Sequence, residues 1–231
     1  MRTAFRELYQ EAVIATKRTK IIYIYDALVD PKRTSSSTSD ANEHENDTLS
    51  NYMTMEFQKM LGVKADLIVG VMLGVLPDGG AATLMQDLDA ACIYLEQGNT
   101  YYLLYQVRRT KLDETIARVV GGDGGLLVGA SAGSIVAGKT IKTCEWKNWD
   151  DPGHGTWWDV RALPTGLNGL DLMDGSVGRS LFPHHSGQWN RRVEEMMPTH
   201  PEGVIILDEE QFYVQGGGTT DEERIGRVRR Q

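Results

Sequence analysis

The run Leu126-Leu127-Val128-Gly129-Ala130-Ser131-Ala132-Gly133-Ser134-Ile135-Val136-Ala137 passes from an apolar strand into a helix within a few residues. Its centre fits G-x-S-x-G, the pattern of a serine on a sharp strand-to-helix turn. A strained backbone at the serine requires small neighbours two positions away on either side. The turn lifts the hydroxyl clear of the sheet and sets unpaired helical N–H groups beside it. The pentapeptide alone is a common one. The strand before it and the helix after it give it weight, so Ser131 is a candidate nucleophile and the Ala132 N–H a candidate oxyanion donor.

The same alternation of short apolar strands and amphipathic helices extends upstream. Phe5, Leu8, Tyr9, Ala12 and Val13 recur at helical spacing. Ile21-Ile22-Tyr23-Ile24-Tyr25 is β-branched and aromatic, as in a buried strand. Residues 31–51 are polar and read as a flexible loop. A helix over 52–61 ends at Gly62, a strand covers 65–71, and a helix follows over 82–88. A third strand, 91–95, ends in the turn Glu96-Gln97-Gly98-Asn99-Thr100, and helices over 101–107 and 112–119 lead to the Ser131 strand. Downstream, 145–159 reads as a long Trp-, Asp- and Gly-rich loop near the active face. Apolar strands follow at 181–183, ending in a Pro-His turn, and at 204–207. This pattern predicts an α/β three-layer αβα sandwich with a mostly parallel sheet, built as one domain over 1–231. Functional groups then gather at the carboxyl ends of the strands.

Composition excludes several classes. The 231 residues carry a net charge of -8, against the basic face that phosphate neutralisation needs, so no nucleic-acid partner is expected. Arg224, Arg227, Arg229 and Arg230 read as a solvated helix or tail. No apolar run approaches a membrane span, and the start reads as helix rather than export signal. Two cysteines, Cys92 and Cys144, make no disulfide framework, which points to a reducing, cytoplasmic compartment. Asn46-Asp47-Thr48 is a chance-level sequon. His154 with Asp150, Asp151 and Asp159 lacks metal-ligand spacing, and Gly216-Gly217-Gly218 lacks the Lys-Ser/Thr of a phosphate loop. No metal or cofactor is expected.

A serine hydroxyl needs a base. His44, His154 and His200 sit in loop-like surroundings, whereas His184 and His185 follow a strand end. Either of this pair is better placed for a strand-end serine. An orienting carboxylate is expected at the end of the 204–207 strand, where Asp208, Glu209 and Glu210 are all candidates.

Together, Gln97-Gly98-Asn99-Thr100, Gly129-Ala130-Ser131-Ala132-Gly133, Thr140-Ile141-Lys142-Thr143, Phe182-Pro183-His184 and Leu207-Asp208-Glu209 resemble the peptidase E (aspartyl dipeptidase) and cyanophycinase family of serine peptidases. The family has a flavodoxin-like, class I glutamine-amidotransferase-like fold. The resemblance covers the chain from about Ile21 onward and implies roles for individual residues. Ser131 matches the nucleophile, His184 the general base, Glu209 the triad glutamate, and Gly98 the second oxyanion donor beside Ala132. It implies acyl transfer on small peptides, Asp-containing dipeptides among them. Gln97, Asn99, Arg191 and Arg192 are candidate substrate contacts, the arginines because their fork suits a carboxylate.

Two departures from the family pattern carry expectations. Glu96 and Gln97 stand where glycines usually precede the Asn, so a side chain is expected to narrow the pocket. The chain opens on a helix where the family opens on a strand, so the expectation is either a truncated chain or a sheet that lacks its first strand. Cleavage of another amide, a cyanophycinase-like activity, and a non-catalytic binding role are the competing readings. A homodimer is the assembly considered.

Overall fold

The computed structural model describes residues 2–26, 51–172, 178–215 and 223–227. The loop expected over 31–51 falls almost wholly outside them, as do Gly216-Gly217-Gly218 and the Asn46 sequon. A parallel sheet holds β1 (Lys20–Ile24), β2 (Ile68–Val71), β3 (Ala90–Leu95) and β4 (Leu126–Gly129) in the order β2-β1-β3-β4. Two further pairs complete the described strands: β5 (Ser180–His185) parallel to β6 (Val204–Asp208), and β7 (Gln211–Gln215) antiparallel to β8 (Glu223–Arg227).

Strand alternation makes the sheet two-faced. In β1, Ile22 and Ile24 join one core, while Ile21 and Tyr23 join the other. All four are at most 1% exposed, and burial of each isoleucine contributes about 1.5–3 kcal/mol. The first core is roofed by Leu103, Leu104 and Val107 of the helix Thr100–Arg109 and by Leu112, Ile116 and Val119 of the helix Leu112–Gly121. The second lies under Phe5 and Tyr9 of the helix Arg2–Thr16 and under Phe57 and Leu61 of the helical residues 51–61. Helices therefore cover both faces of a parallel sheet. Gly62, at φ 74°, ends the 51–61 helix with its N–H on Gln58 O at 2.8 Å, a left-handed cap that glycine accepts without strain.

Several expectations change. Ala65–Leu67 forms a 3-10 turn and the strand starts only at Ile68, because nothing pairs with the backbone of 65–67 in the β1 register. The segment 145–159 is not simply loop: Trp146 and Trp158 are 2% and 1% exposed and anchor it to the body. Arg224 and Arg227, expected in a solvated helix or tail, lie in the paired strand β8, and Arg229 and Arg230 fall outside the described residues. Among the described residues no strand precedes the helix Arg2–Thr16. β1 is flanked on both edges, by β2 and β3. No helix among the described residues is long and apolar enough to cross a membrane.

Candidate active site

Beyond the carboxyl ends of β3, β4 and β5 lies a cleft that opens to solvent. Its walls include Gly98, Ser131, Lys147, Trp149, Asp150 and His184. Ser131 sits at φ 48° and ψ -105°, a conformation that side-chain-bearing residues rarely adopt. The glycines around it show why the turn forms. A Cβ on Gly129 would lie 2.5 Å from the Gly133 carbonyl carbon, and one on Gly133 would lie 2.2 Å from Leu95 O. The helix Ala132–Ala137 thus packs its backbone directly on β3 and β4. Ala130 N–H donates to Leu95 O at 2.9 Å, which ties this turn to the end of β3, two residues before Gln97 and three before Gly98. As the first residue of its helix, Ala132 has no intrahelical partner for its N–H.

The structure joins three remote residues in one chain of hydrogen bonds. His184 Nε2 lies 2.8 Å from Ser131 Oγ, and His184 Nδ1 lies 2.8 Å from Glu209 Oε1. An ionised carboxylate only accepts, so the arrangement assigns the imidazole proton to Nδ1 and leaves Nε2 to accept from the serine hydroxyl. A neutral imidazole so oriented takes the hydroxyl proton as the oxygen attacks, and the carboxylate stabilises the resulting imidazolium. The three residues come from the ends of β4, β5 and β6. Of the acids that sequence left open, Asp208 instead accepts the Glu210 N–H at 2.8 Å. His185 pairs opposite Asp208 in the ladder, with its ring 6.4 Å from that of Phe182.

The expected Pro-His turn is a bulge inside β5. Phe182 pairs with Ile206 and His185 with Asp208, so Pro183 and His184 together face Leu207 alone. Proline has no ladder donor to lose, which suits it to this place. His184 itself takes φ 56°, the left-handed region, and so turns its ring to the Ser131 side.

The substrate-contact candidates fare differently. Gly98 lines the cleft, but Gln97 is exposed and does not, and Glu96 is buried with its carboxylate accepting the Gln97 N–H at 2.8 Å. The side chains replacing the family's glycines therefore leave the cleft open. Asn99 caps the helix Thr100–Arg109, accepting the Tyr102 N–H at 2.9 Å and donating to Asp151 O at 2.9 Å. Arg191 pairs with Glu195 at 2.8 Å on the exposed face of the helix Asn190–Met196, and Arg192 reaches the same carboxylate at 3.9 Å. Neither arginine lines the cleft: a helical i,i+4 partner holds Arg191 and an i,i+3 partner holds Arg192.

Sequence reasoning missed Lys147, Trp149 and Cys144. Burial pushes the Cys144 thiol up to about 12, so it stays protonated and does not compete as a nucleophile. Asp150, also raised by burial, accepts the Thr100 N–H at 3.0 Å and so holds the loop against the start of a helix. His154 lies 2.9 Å from Arg161 Nη1, and Arg161 Nε pairs with Asp159 at 3.0 Å. Among the described residues no three His, Cys, Asp or Glu side chains converge as metal ligands.

The fold and the linked serine, histidine and glutamate define a class, a serine hydrolase on a parallel α/β sheet. The particular family follows from comparison: the model of peptidase family S51 matches residues 40–221, and the chain belongs to that family and is a serine peptidase. A 1.5 Å crystal structure of a Listeria monocytogenes EGD-e protein, provisionally described as a peptidase E, shares the fold. Its TM-score is 0.58 at 17% identity, over 97% of this chain and 95% of that one. No curated protein matches.

Proposed function

We propose that the enzyme hydrolyses small peptides through an acyl-enzyme on Ser131. The observation that carries this reading is the chain Ser131 Oγ–His184 Nε2 and His184 Nδ1–Glu209 Oε1, each at 2.8 Å. Ser131 Oγ attacks the amide carbonyl as its proton passes to Nε2. The N–H groups of Ala132 and Gly98 receive the oxyanion. Nε2–H then protonates the leaving amine, and a water activated by the same nitrogen releases the acyl group. Glu209 keeps the ring in one tautomer throughout.

Asp-containing dipeptides are the substrates the family resemblance favours. The test is a dipeptide panel assayed with wild type and Ser131→Ala. Highest kcat/KM on Asp-X members, lost in the variant, supports the reading. Turnover of none of them by an enzyme whose Ser131 still reacts with a fluorophosphonate overturns the dipeptide substrate and leaves another amide.

A further inference from the structure

β6 occupies one edge of β5, and the segment following the Ser131 helix occupies the other. Lys139 N–H donates to Arg179 O at 3.0 Å, and Thr143 Oγ donates to Leu181 O at 2.5 Å. Lys147 Nζ donates to Pro183 O at 2.5 Å and to His184 O at 2.9 Å. The accepting carbonyls of Arg179, Leu181 and Pro183 fall at every second residue from just before β5 to the bulge, where two successive carbonyls converge on one ammonium. A ladder strand has no means of satisfying both, because the bulge takes Pro183 and His184 out of register. The lysine is itself held by aromatic faces, with Nζ 4.4 Å from the Trp149 ring centroid, 4.5 Å from Phe182 and 5.7 Å from Trp189.

We infer that Lys147 is a positioning residue for the general base: by clamping the carbonyls of Pro183 and His184, it holds the bulge that presents the imidazole to Ser131. The inference rests on the proposed roles of Ser131 and His184. Lys147 acts on the backbone that carries the ring, since its donors are directed to carbonyls of the histidine and its predecessor. With φ at 56°, His184 has a more comfortable extended conformation to relax into, and that relaxation carries the ring away from Oγ.

The test compares Lys147→Met, Lys147→Gln and Lys147→Arg with wild type. The readouts are the fluorophosphonate labelling rate at Ser131, kcat and KM on the best substrate of the panel, and the downfield proton resonance of His184 Nδ1–H. Displacement of the ring by about 1 Å is expected to slow Lys147→Met labelling and kcat by roughly 10²-fold. KM is expected to stay within about threefold, and the resonance to be lost. Lys147→Arg, which also donates to paired carbonyls, is expected to restore most of the rate and the resonance. Should Lys147→Met fail to fold, Lys147→Gln serves, with an intermediate rate. Wild-type labelling and kcat in the Met or Gln variant overturn the inference, as does a rise in KM alone, which marks a substrate contact. Failure of the underlying reading looks different: wild type itself is then unlabelled at Ser131.

Discussion

Gly133→Ala probes the contact on which the whole site is built. The added Cβ would lie 2.2 Å from Leu95 O and 2.7 Å from both Leu95 C and Leu95 Cβ, none of which is the far end of a flexible side chain. Forcing a methyl into packed surroundings costs about 1–3 kcal/mol. The shift also strains two backbone hydrogen bonds, Ala130 N–H to Leu95 O and Gly133 N–H to Ala130 O, both 2.9 Å. At about 1 kcal/mol each, the total reaches about 3–5 kcal/mol. For a chain of this size that lowers Tm by roughly 6–20 °C. A displacement of about 1 Å at Ala132 and Ser131 reduces kcat by roughly 10²-fold in the protein that remains folded. Thermal and urea unfolding with kcat on the folded fraction measure both effects. Gly121→Ala is the control: it ends the helix Leu112–Gly121 with open space around its Cβ position and should be neutral or stabilising by about 0.5–1 kcal/mol. A Gly133→Ala enzyme that melts and turns over like wild type would refute the close-approach argument.

Two further predictions concern charge. Glu209→Gln keeps the shape of the side chain but removes the charge that stabilises the imidazolium. Because Glu209 is 64% exposed, water takes over part of its role, and kcat should fall by about 10–10²-fold with KM little changed. Asp26 is buried and accepts the N–H groups of Leu73 and Gly74 at 2.6 Å each. Burial raises its pKa from 3.8 to about 6, against the pull of those N–H groups and of Arg109. The fold therefore favours the protonated form. Stability gains as pH falls from about 6 toward 3.8 and is lost again as pH rises through 6. The unfolding free energy of wild type relative to Asp26→Asn should rise by roughly 2–3 kcal/mol between pH 7 and pH 4 in denaturant titrations. A pH-independent difference would contradict the raised pKa.

Sequence pattern reached far in the sheet because its signals are local. β-Branched residues mark β1, and Gly129 and Gly133 bracket Ser131 where a Cβ has no room. It could not separate His184 from His185 by position alone. That choice depends on a bulge opposite Leu207, a property of pairing between strands rather than of either strand. The order Phe182-Pro183-His184 singled out His184 only through family resemblance. The arginines lie off the cleft and pair with Glu195, a helical spacing as plain in the sequence as their charge. Asn99 likewise reads as a helix cap once the helix start at Thr100 is fixed. Lys147 gave no signal, since its partners are backbone carbonyls 36 and 37 residues away.

The proposed hydrolysis requires one hydroxyl made nucleophilic by an imidazole 53 residues away in the chain. The direct measurement is mass spectrometry of intact and digested enzyme after fluorophosphonate treatment, paired with peptide hydrolysis by Ser131→Ala. A single adduct on Ser131, with adduct and hydrolysis both absent in the variant, is the expected result. An adduct on another residue, or a variant that hydrolyses at the wild-type rate, contradicts it.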